Sequence, residues 1–580
     1  MTDLQVNRLA KQPPLVLQLK GSQLTMGQQL GELLHEAGGY QDVISYYPRM
    51  AEDLLILAAP RKIRNKLARS IIRPGLQYGL SKLNNARIPE YAARTHAAVE
   101  STDITPATAK SIPIMDLFQN SVGFLSKFKM VELAAPHLTP VPACSSAVVW
   151  DEASQDGDIL HARNFDFPGV GFWDESPMIV FCTPDKGIPY GFISTRGADV
   201  PGVSAFNQEG INVTFHTRFH RDVDFNGTPV VDLGHDIIRR SRTLKEAISV
   251  VKEHRIASSW GITISSAKEK SAVLIETTST GSRVVKPQGG NWLVNTNHYF
   301  DPELQQGQLE TSATFLEHSF NRQKRMQQFI QQGIVKGGLN SADLESMLGN
   351  MTEAEALEEE RVMGSVLGQY CTVSSMVIAP SKAEVRMSVG KAPTGWGPYI
   401  TIPMDWSGNV GYSIVDTKGA SNQSNTVFLT DSIKHKAYEH YRAACTHDFK
   451  GAPLDIIESE ITSAVALAPQ DPALNFLMGT IELEKGNPHK ALPFFVEGAN
   501  QEPGVFRKGM LHLWAARSAG ASGQETLAHE YYRTLLALEH SLLSGTQAQA
   551  YKEYKSGGPS TKTLKNIVVS YMLIDAHVAA

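Results

Sequence analysis

Cysteine is scarce: four residues, Cys144, Cys182, Cys371 and Cys445, are spread along 580 positions with no CxxC pair. That density and spacing exclude a disulfide framework and give no support to a structural zinc site. No run of about 18 apolar residues occurs, so no membrane span is expected. Charge of one sign is also lacking. Lys and Arg total 54 against 59 Asp and Glu, for a net charge of −5, which removes the electrostatic case for nucleic acid or an anionic membrane surface. The start, Met1-Thr2-Asp3-Leu4-Gln5-Val6-Asn7-Arg8, lacks the basic and then apolar order of a secretory signal, so a cytoplasmic location is the expectation. No GxxxxGK[ST] loop is present, and Gly169–Gly171 is too short for a dinucleotide loop. His216, His220 and His235 lack an HExxH frame or an acidic partner at helix spacing. No metal and no cofactor are expected.

What is present is an ordinary globular balance, 42% hydrophobic and 19% charged, in a chain too long for one core. Three textures follow one another. Residues 23–130 are rich in helix formers, and Leu30, Leu33 and Leu34 recur at the spacing of an amphipathic helix. From Cys144 to about Ile414, short β-rich runs alternate with polar turns, as in large, mostly antiparallel sheets. Helical stretches interrupt them at Pro229–Glu253 and Ala313–Gln331. The acidic run Glu353–Glu360 reads as a solvated helix face. Lys418–Asn425 is small and polar, a linker or an exposed loop. Beyond residue 431 the chain reads as all helix.

That tail carries a repeat. Gly479, Gly486, Ala491, Phe495 and Pro503 resemble the tetratricopeptide pattern, in which small residues let two helices approach and an aromatic ring fills the gap. Pro469 precedes Pro503 by about one repeat length of 34 residues. Leu513–Leu538 is a weaker copy with Ala528 and Tyr532 in the packing roles. Two readings stand: a concave surface for a peptide or protein partner, or a structural cap on the preceding domain.

The chemistry concentrates in one stretch. Ala143-Cys144-Ser145-Ser146 opens a strand. Asp156-Gly157 marks a turn, and a second strand ends in Arg163-Asn164-Phe165-Asp166-Phe167. A hairpin would bring Arg163 and Asp166 back beside the sulfur of Cys144.

This arrangement resembles the isopenicillin N acyltransferase (acyl-CoA:6-aminopenicillanic acid acyltransferase) family, a branch of the N-terminal-nucleophile hydrolases related more distantly to choloylglycine hydrolases and acid ceramidase. Gly21, Gly27 and Gly31 match its N-terminal glycine signature. Cys144-Ser145-Ser146 and Asn164-Phe165-Asp166-Phe167 match its nucleophile hairpin. Asn207-Gln208-Glu209-Gly210-Ile211 matches its N-x-x-G-I turn, and Thr296-Asn297-His298 its TNH motif. A softer match is Ser374–Pro380 followed by Val385–Val389. The matches run in family order over residues 15–410.

The resemblance implies an α+β fold: a four-layer αββα N-terminal-nucleophile sandwich followed by an all-α, tetratricopeptide-like domain. The expected divisions are 1–143, a helical segment that becomes a separate but still associated subunit on self-cleavage between Ala143 and Cys144; 144–430, the catalytic domain; and 431–580, the helical domain. It implies catalytic roles for Cys144, Arg163, Asp166 and Asn297: nucleophile with its freed amine as base, support for the cysteine, orientation of that amine, and oxyanion donor. Ser146 would assist self-cleavage. The strand Asn212–Thr217 would line the substrate pocket, with either His216 or Thr217 near a second donor position. Arg386 is a candidate for a late pocket arginine. The partner would be a small acyl amide or acyl thioester. Two alternatives stay open. One is a lipid-amide or phospholipid hydrolase of the same superfamily, with Phe165, Phe167, Phe172 and Trp173 along a longer apolar pocket. The other is a catalytically inactive tetratricopeptide scaffold.

Overall fold

A computed structural model of the chain describes residues 8–57, 61–64, 66–127, 143–287, 289–309 and 312–578. Short β-rich runs, most of them buried on both faces, build two sheets. The larger has nine strands, in the spatial order Gly281–Val285, Ser271–Thr278, Trp260–Ser266, Ile211–Thr217, Ser204–Asn207, Tyr190–Thr195, Pro177–Pro184, Leu15–Gly21 and Gly411–Ile414. The smaller has six: Trp292–Asn295, Cys144–Asp151, Gly157–Asp166, Thr372–Ala379, Glu384–Ser388 and Tyr399–Pro403. Pairing is antiparallel throughout except where Leu15–Gly21 runs parallel to Pro177–Pro184.

The inner faces of the sheets meet. Ile179, Phe181, Ile193 and Phe206 from one pack with Met376, Ile378, Val385, Met387, Ile400 and Ile402 from the other. The outer face of the large sheet (Leu15, Leu17, Leu19, Val180, Val213) lies under the helices Gln23–Ala37, Val230–Arg240 and Leu244–Glu253. The outer face of the small sheet (Ala147, Val149, Ala162, Val377) lies under Ala313–Val335 and Ser341–Leu348. The result is a four-layer αββα sandwich.

The family-like glycines have packing reasons. A Cβ at Gly27 or Gly31 would run into the backbone carbonyl of Arg94 or Ala98, so both glycines let the helices Gln23–Ala37 and Pro89–Glu100 touch. Asn207 is a turn device. Its Oδ1 accepts from the amides of Glu209 (3.1 Å) and Ile211 (3.0 Å), and its Nδ2 donates to Ile238 and Ser241 carbonyls at 2.8 Å each. Gly210, at φ +84°, completes the turn.

The first segment is not an appendage. Leu15–Gly21 is an interior strand of the large sheet, and buried pairs tie its helices to later residues: Arg94 Nε to Asp199 at 2.7 Å and Arg87 Nη2 to Asp232 at 2.6 Å. The tail packs helix on helix from Ser432–Phe449 to Ser544–Ser556, with Phe495 seated against Gly479 and with Ala491, Ala528 and Tyr532 buried. It then ends in a two-stranded hairpin, Ile567–Ser570 with Asp575–Val578, so the expectation of an all-helical tail misses this element. The acidic run differs too. Thr352–Glu353 pairs with Ala356–Glu360 as a small hairpin, and Glu353 is buried. Among the described residues no helix is long and apolar enough to cross a membrane.

Candidate functional site

The hairpin forms around the Asp156-Gly157 turn, where Gly157 takes φ +69°. It sets Cys144 opposite Phe165 and Ser146 opposite Arg163, all four on the face turned toward the large sheet. Cys144 is 1% exposed. Arg163 Nη2 donates toward its Sγ at 3.2 Å and to the Phe215 carbonyl at 2.7 Å. Arg163 Nη1 lies 2.8 Å from His216 Nε2, which is also 2.8 Å from Ser146 Oγ. A guanidinium only donates, so this His216 nitrogen accepts and the ring is neutral. Burial, then the charges of Arg163 and Arg218, push its pKa well down.

The strand Ile211–Thr217 turns the two candidates His216 and Thr217 to opposite faces. His216 turns between the sheets toward Arg163 and Ser146. Thr217 lines the pocket beside Cys144 and offers its carbonyl to Asn297 Nδ2 at 3.1 Å. Asn297 Oδ1 accepts from the Cys144 nitrogen at 2.8 Å. Its loop is clamped: the Asn297 amide donates to Ser319 Oγ at 2.8 Å, and Arg218 holds the Thr296 carbonyl and Asn295 Oδ1.

Sequence reasoning missed Arg322. On the inward stripe of the helix Ala313–Val335, it donates from Nη1 to the Cys144 carbonyl (2.7 Å) and Ser145 Oγ (2.8 Å), and from Nη2 to Asn297 Oδ1 (2.9 Å). The signal was available in the helical period, because Arg322 shares a buried face with Phe315, Ser319, Met326 and Ile330. Arg386, the candidate arginine, is elsewhere: it pairs with Glu345, and its strand neighbours place it away from Cys144.

Asp166 is close but does not hold the Cys144 nitrogen. Its carboxylate accepts from Thr372 Oγ1 at 2.5 Å and Gln369 Nε2 at 3.0 Å. Burial raises it to about 7 against the pull of Arg322, Thr372 and Arg163. The Cys144 thiol is likewise raised by burial, with Arg163 and Arg322 opposing. Two buried guanidiniums thus face one sulfur and one carboxyl that is half-protonated near neutrality. The site carries excess positive charge, suited to a thiolate or an oxyanion.

An apolar pocket opens on Cys144, lined among others by Tyr47, Ile114, Phe165, Phe167, Trp173 and Trp260, around a void of about 50 Å³. Phe172 instead stacks on Tyr46 with ring centroids 5.1 Å apart. A second apolar pocket between the helices Gln23–Ala37 and Pro89–Glu100 shares Tyr47, Ile112 and Val200 with the first. The other thiols are buried and hydrogen-bonded: Cys182 from Arg94 (3.6 Å), Cys371 to Gln369 (3.9 Å) and Cys445 to the Tyr571 carbonyl (3.7 Å). Among the described residues no group of three or more His, Cys, Asp or Glu could hold a metal ion.

Residues 153–391 match the family model of acyl-coenzyme A:6-aminopenicillanic acid acyl-transferase. The matched stretch holds Arg163, Asp166, His216, Thr217, Asn297 and Arg322. Cys144 precedes it, and the helical tail follows it. Among solved structures, the Caenorhabditis elegans N-acylethanolamine-hydrolyzing acid amidase ortholog aligns over 41% of this chain and 93% of its own, at 17% identity and a TM-score of 0.29. No curated protein matches.

Proposed function

We propose that this chain is a self-processing cysteine N-terminal-nucleophile enzyme that hydrolyses or transfers acyl groups at non-peptide amide or thioester bonds. The observation that carries the reading is the convergence of Arg163, Arg322 and Asn297 on Cys144 in an acyl-transferase-family sandwich.

In self-cleavage, Cys144 Sγ attacks the Ala143 carbonyl carbon, and the thiol proton ends on the departing Cys144 nitrogen. Water then opens the thioester. This leaves a carboxylate on Ala143, and a free thiol and a free amine on Cys144. An α-amine has a pKa of roughly 7.7–8.0, close to a working pH, so the residue carries its own base. The amine takes the thiol proton and the thiolate attacks the substrate acyl carbon. The leaving group departs with that proton, and water or an acceptor amine then releases the acyl group. Asn297 Oδ1 and Arg322 would fix the amine and the backbone of Cys144. Asn297 Nδ2 has a second proton for the oxyanion, and Arg163 would stabilise the thiolate. Ser146, hydrogen-bonded to His216, would relay a proton during processing. Asp166 acts one step removed, through Arg322 and the hairpin end.

The apolar walls of the Cys144 pocket, with a second apolar pocket beside it across Tyr47, Ile112 and Val200, favour an apolar acyl group, the feature that a lipid-amide hydrolase would share. The tail is read as a tetratricopeptide-like domain. The inactive-scaffold alternative has less support, because the nucleophile and its donors are all in place. Intact mass spectrometry under denaturing conditions tests the reading. Chains of residues 1–143 and 144–580, fused again in Cys144→Ala, support it. A single uncut chain in both, stable over days from mildly acid to neutral pH, overturns the self-processing mechanism.

A further inference from the structure

The helix Ala313–Val335 carries Arg322 and Ser319, the side chains that fix Asn297 and the Cys144 backbone. Its N-terminal half is held by a loop, residues 361–365, that the sandwich does not hold alone. His318 Nε2 donates to the Gly364 carbonyl at 2.8 Å. Its Nδ1 receives Arg322 Nε at 3.3 Å, so this ring sits between the loop and the arginine. Ser365 Oγ donates to Glu317 Oε2 at 2.7 Å, and the Ser365 amide donates to Glu353 Oε1 at 2.7 Å.

Glu353 is in turn gripped from the helical tail. Arg507, on the helix Val505–Ala521, donates to its Oε2. Arg507 Nε also reaches Glu502 Oε2 at 3.3 Å, and Arg361 Nη2 reaches Glu502 Oε1 at 3.3 Å. Asp471, which caps a tail helix, accepts the Val362 amide at 3.2 Å. Glu353, Arg361, Glu502, Glu317, His318 and Arg322 are all buried. Buried charges held by several directional bonds define one geometry far better than they add stability. A path of hydrogen bonds therefore runs from Arg507 through Glu353, Ser365 and Glu317 to the helix, whose backbone joins Glu317 to His318. From there it passes through His318 and Arg322 to Asn297 and Cys144.

We propose that Arg507, contributed by the helical tail, is a positioning residue for the Cys144 site: by clamping Glu353 and the 361–365 loop it sets where Arg322 meets Asn297 and the nucleophile. The tail then completes the layer of helices behind the nucleophile strand, whatever partner it binds elsewhere. The proposal rests on the reading of Cys144 as nucleophile, but not on self-cleavage or on any particular substrate.

The test compares full-length wild type, Arg507→Met, Arg507→Lys and Arg517→Met. The last, on the same helix as Arg507, breaks a bidentate pair with Glu553 of the helix Ser544–Ser556, away from the path. The readouts are the pH profile of Cys144 alkylation by iodoacetamide, followed by peptide mass, and hydrogen exchange in the peptides that carry Cys144 and Asn297. Arg507→Met is expected to slow alkylation at neutral pH by about tenfold or more, since small misplacements at a preorganised site are costly. It should also move the profile to higher pH and speed exchange at both peptides. Arg507→Lys should recover part of each effect, and Arg517→Met should leave all of them at wild-type values. The proposal is overturned if Arg507→Met matches wild type in profile and exchange, or if Arg517→Met shifts both equally. If the methionine variant does not fold, the lysine variant decides by the same criteria. If no protein is alkylated, exchange decides. Wild type that never self-cleaves would count against the proposed function while leaving this comparison intact.

Discussion

Two neighbouring regions of the layer between the sheets could hardly differ more. At one end Ile179, Phe181, Ile193, Phe206, Met376 and Ile378 close a hydrocarbon core. Next to it, before a second apolar cluster of Val148, Trp150, Ile159, Ala272, Leu274 and Leu293, the same space holds Cys144, Ser146, His161, Arg163, His216, Thr263 and Ser265, all buried and hydrogen-bonded to one another or to nearby carbonyls. Apolar burial contributes cohesion. The polar region gives up that cohesion and holds charges out of water, where their fields act at full strength. Folding stability and the proposed reactivity are thus assigned to adjacent regions of one sandwich, as expected where a functional site breaks the rules followed by the rest of the fold.

Substitutions can break this contrast. The largest effect is expected from Cys144→Ala, which should abolish both chain processing and acyl turnover while leaving the thermal transition near that of the unprocessed protein; denaturing electrophoresis and calorimetry would check it. Asn297→Ala and Arg322→Met come next. Each should lower kcat/KM by about 100- to 1000-fold, the usual consequence of losing a donor at a developing charge, with a smaller loss of Tm. Phe181→Ala should do the reverse. It should cost about 3–5 kcal/mol of stability in denaturant titration and leave the activity of each folded molecule unchanged. If Phe181→Ala instead silences the site at full occupancy of the fold, the division of labour proposed between the two regions is wrong.

The smallest effect is in pH dependence. Burial holds His161 down to about 3, between Ser265 Oγ (3.1 Å) and Thr214 Oγ1 (3.2 Å). The unfolded chain takes up a proton below pH 6.5 that the folded ring refuses. Stability is therefore intact above 6.5 and falls on acidification toward 3. The slope from this one ring is roughly 1.4 kcal/mol per pH unit. His161→Gln should remove that slope, and chemical denaturation at pH 7 and pH 5 would show a smaller difference than in wild type.

How much of this was legible depended on range. The nucleophile hairpin was, because Cys144, the Asp156-Gly157 turn and Arg163 lie close together and strand alternation fixes which side chains face the same way. Evenly spaced strand runs pointed to large, mostly antiparallel sheets, and the four-layer stacking came from the family resemblance. Long-range partners were not legible. The acidic run read as a solvated helix because nothing local reveals that Arg507, 154 residues further along the chain, meets Glu353. Leu15–Gly21 is short and gives no sign that its neighbours are Pro177–Pro184 and Gly411–Ile414. The partners of Asp166, Thr372 and Gln369, are brought in by another strand and the loop before it, which no local pattern around Asp166 reveals. Arg386 and Arg322 look alike in sequence, and only the stripe of the helix under Arg322 separates them.

The interior position of Leu15–Gly21 has a consequence for the life of the molecule. A strand that enters a sheet from the same chain arrives at a high effective concentration, and its insertion costs little more than closing a loop. A cut before Cys144 would turn that intramolecular step into an encounter between two molecules. The native arrangement would then outlive the covalent instructions that made it. Unfolded and diluted, the processed protein would recover at a rate set by concentration, whereas the uncut precursor would recover at a rate independent of it.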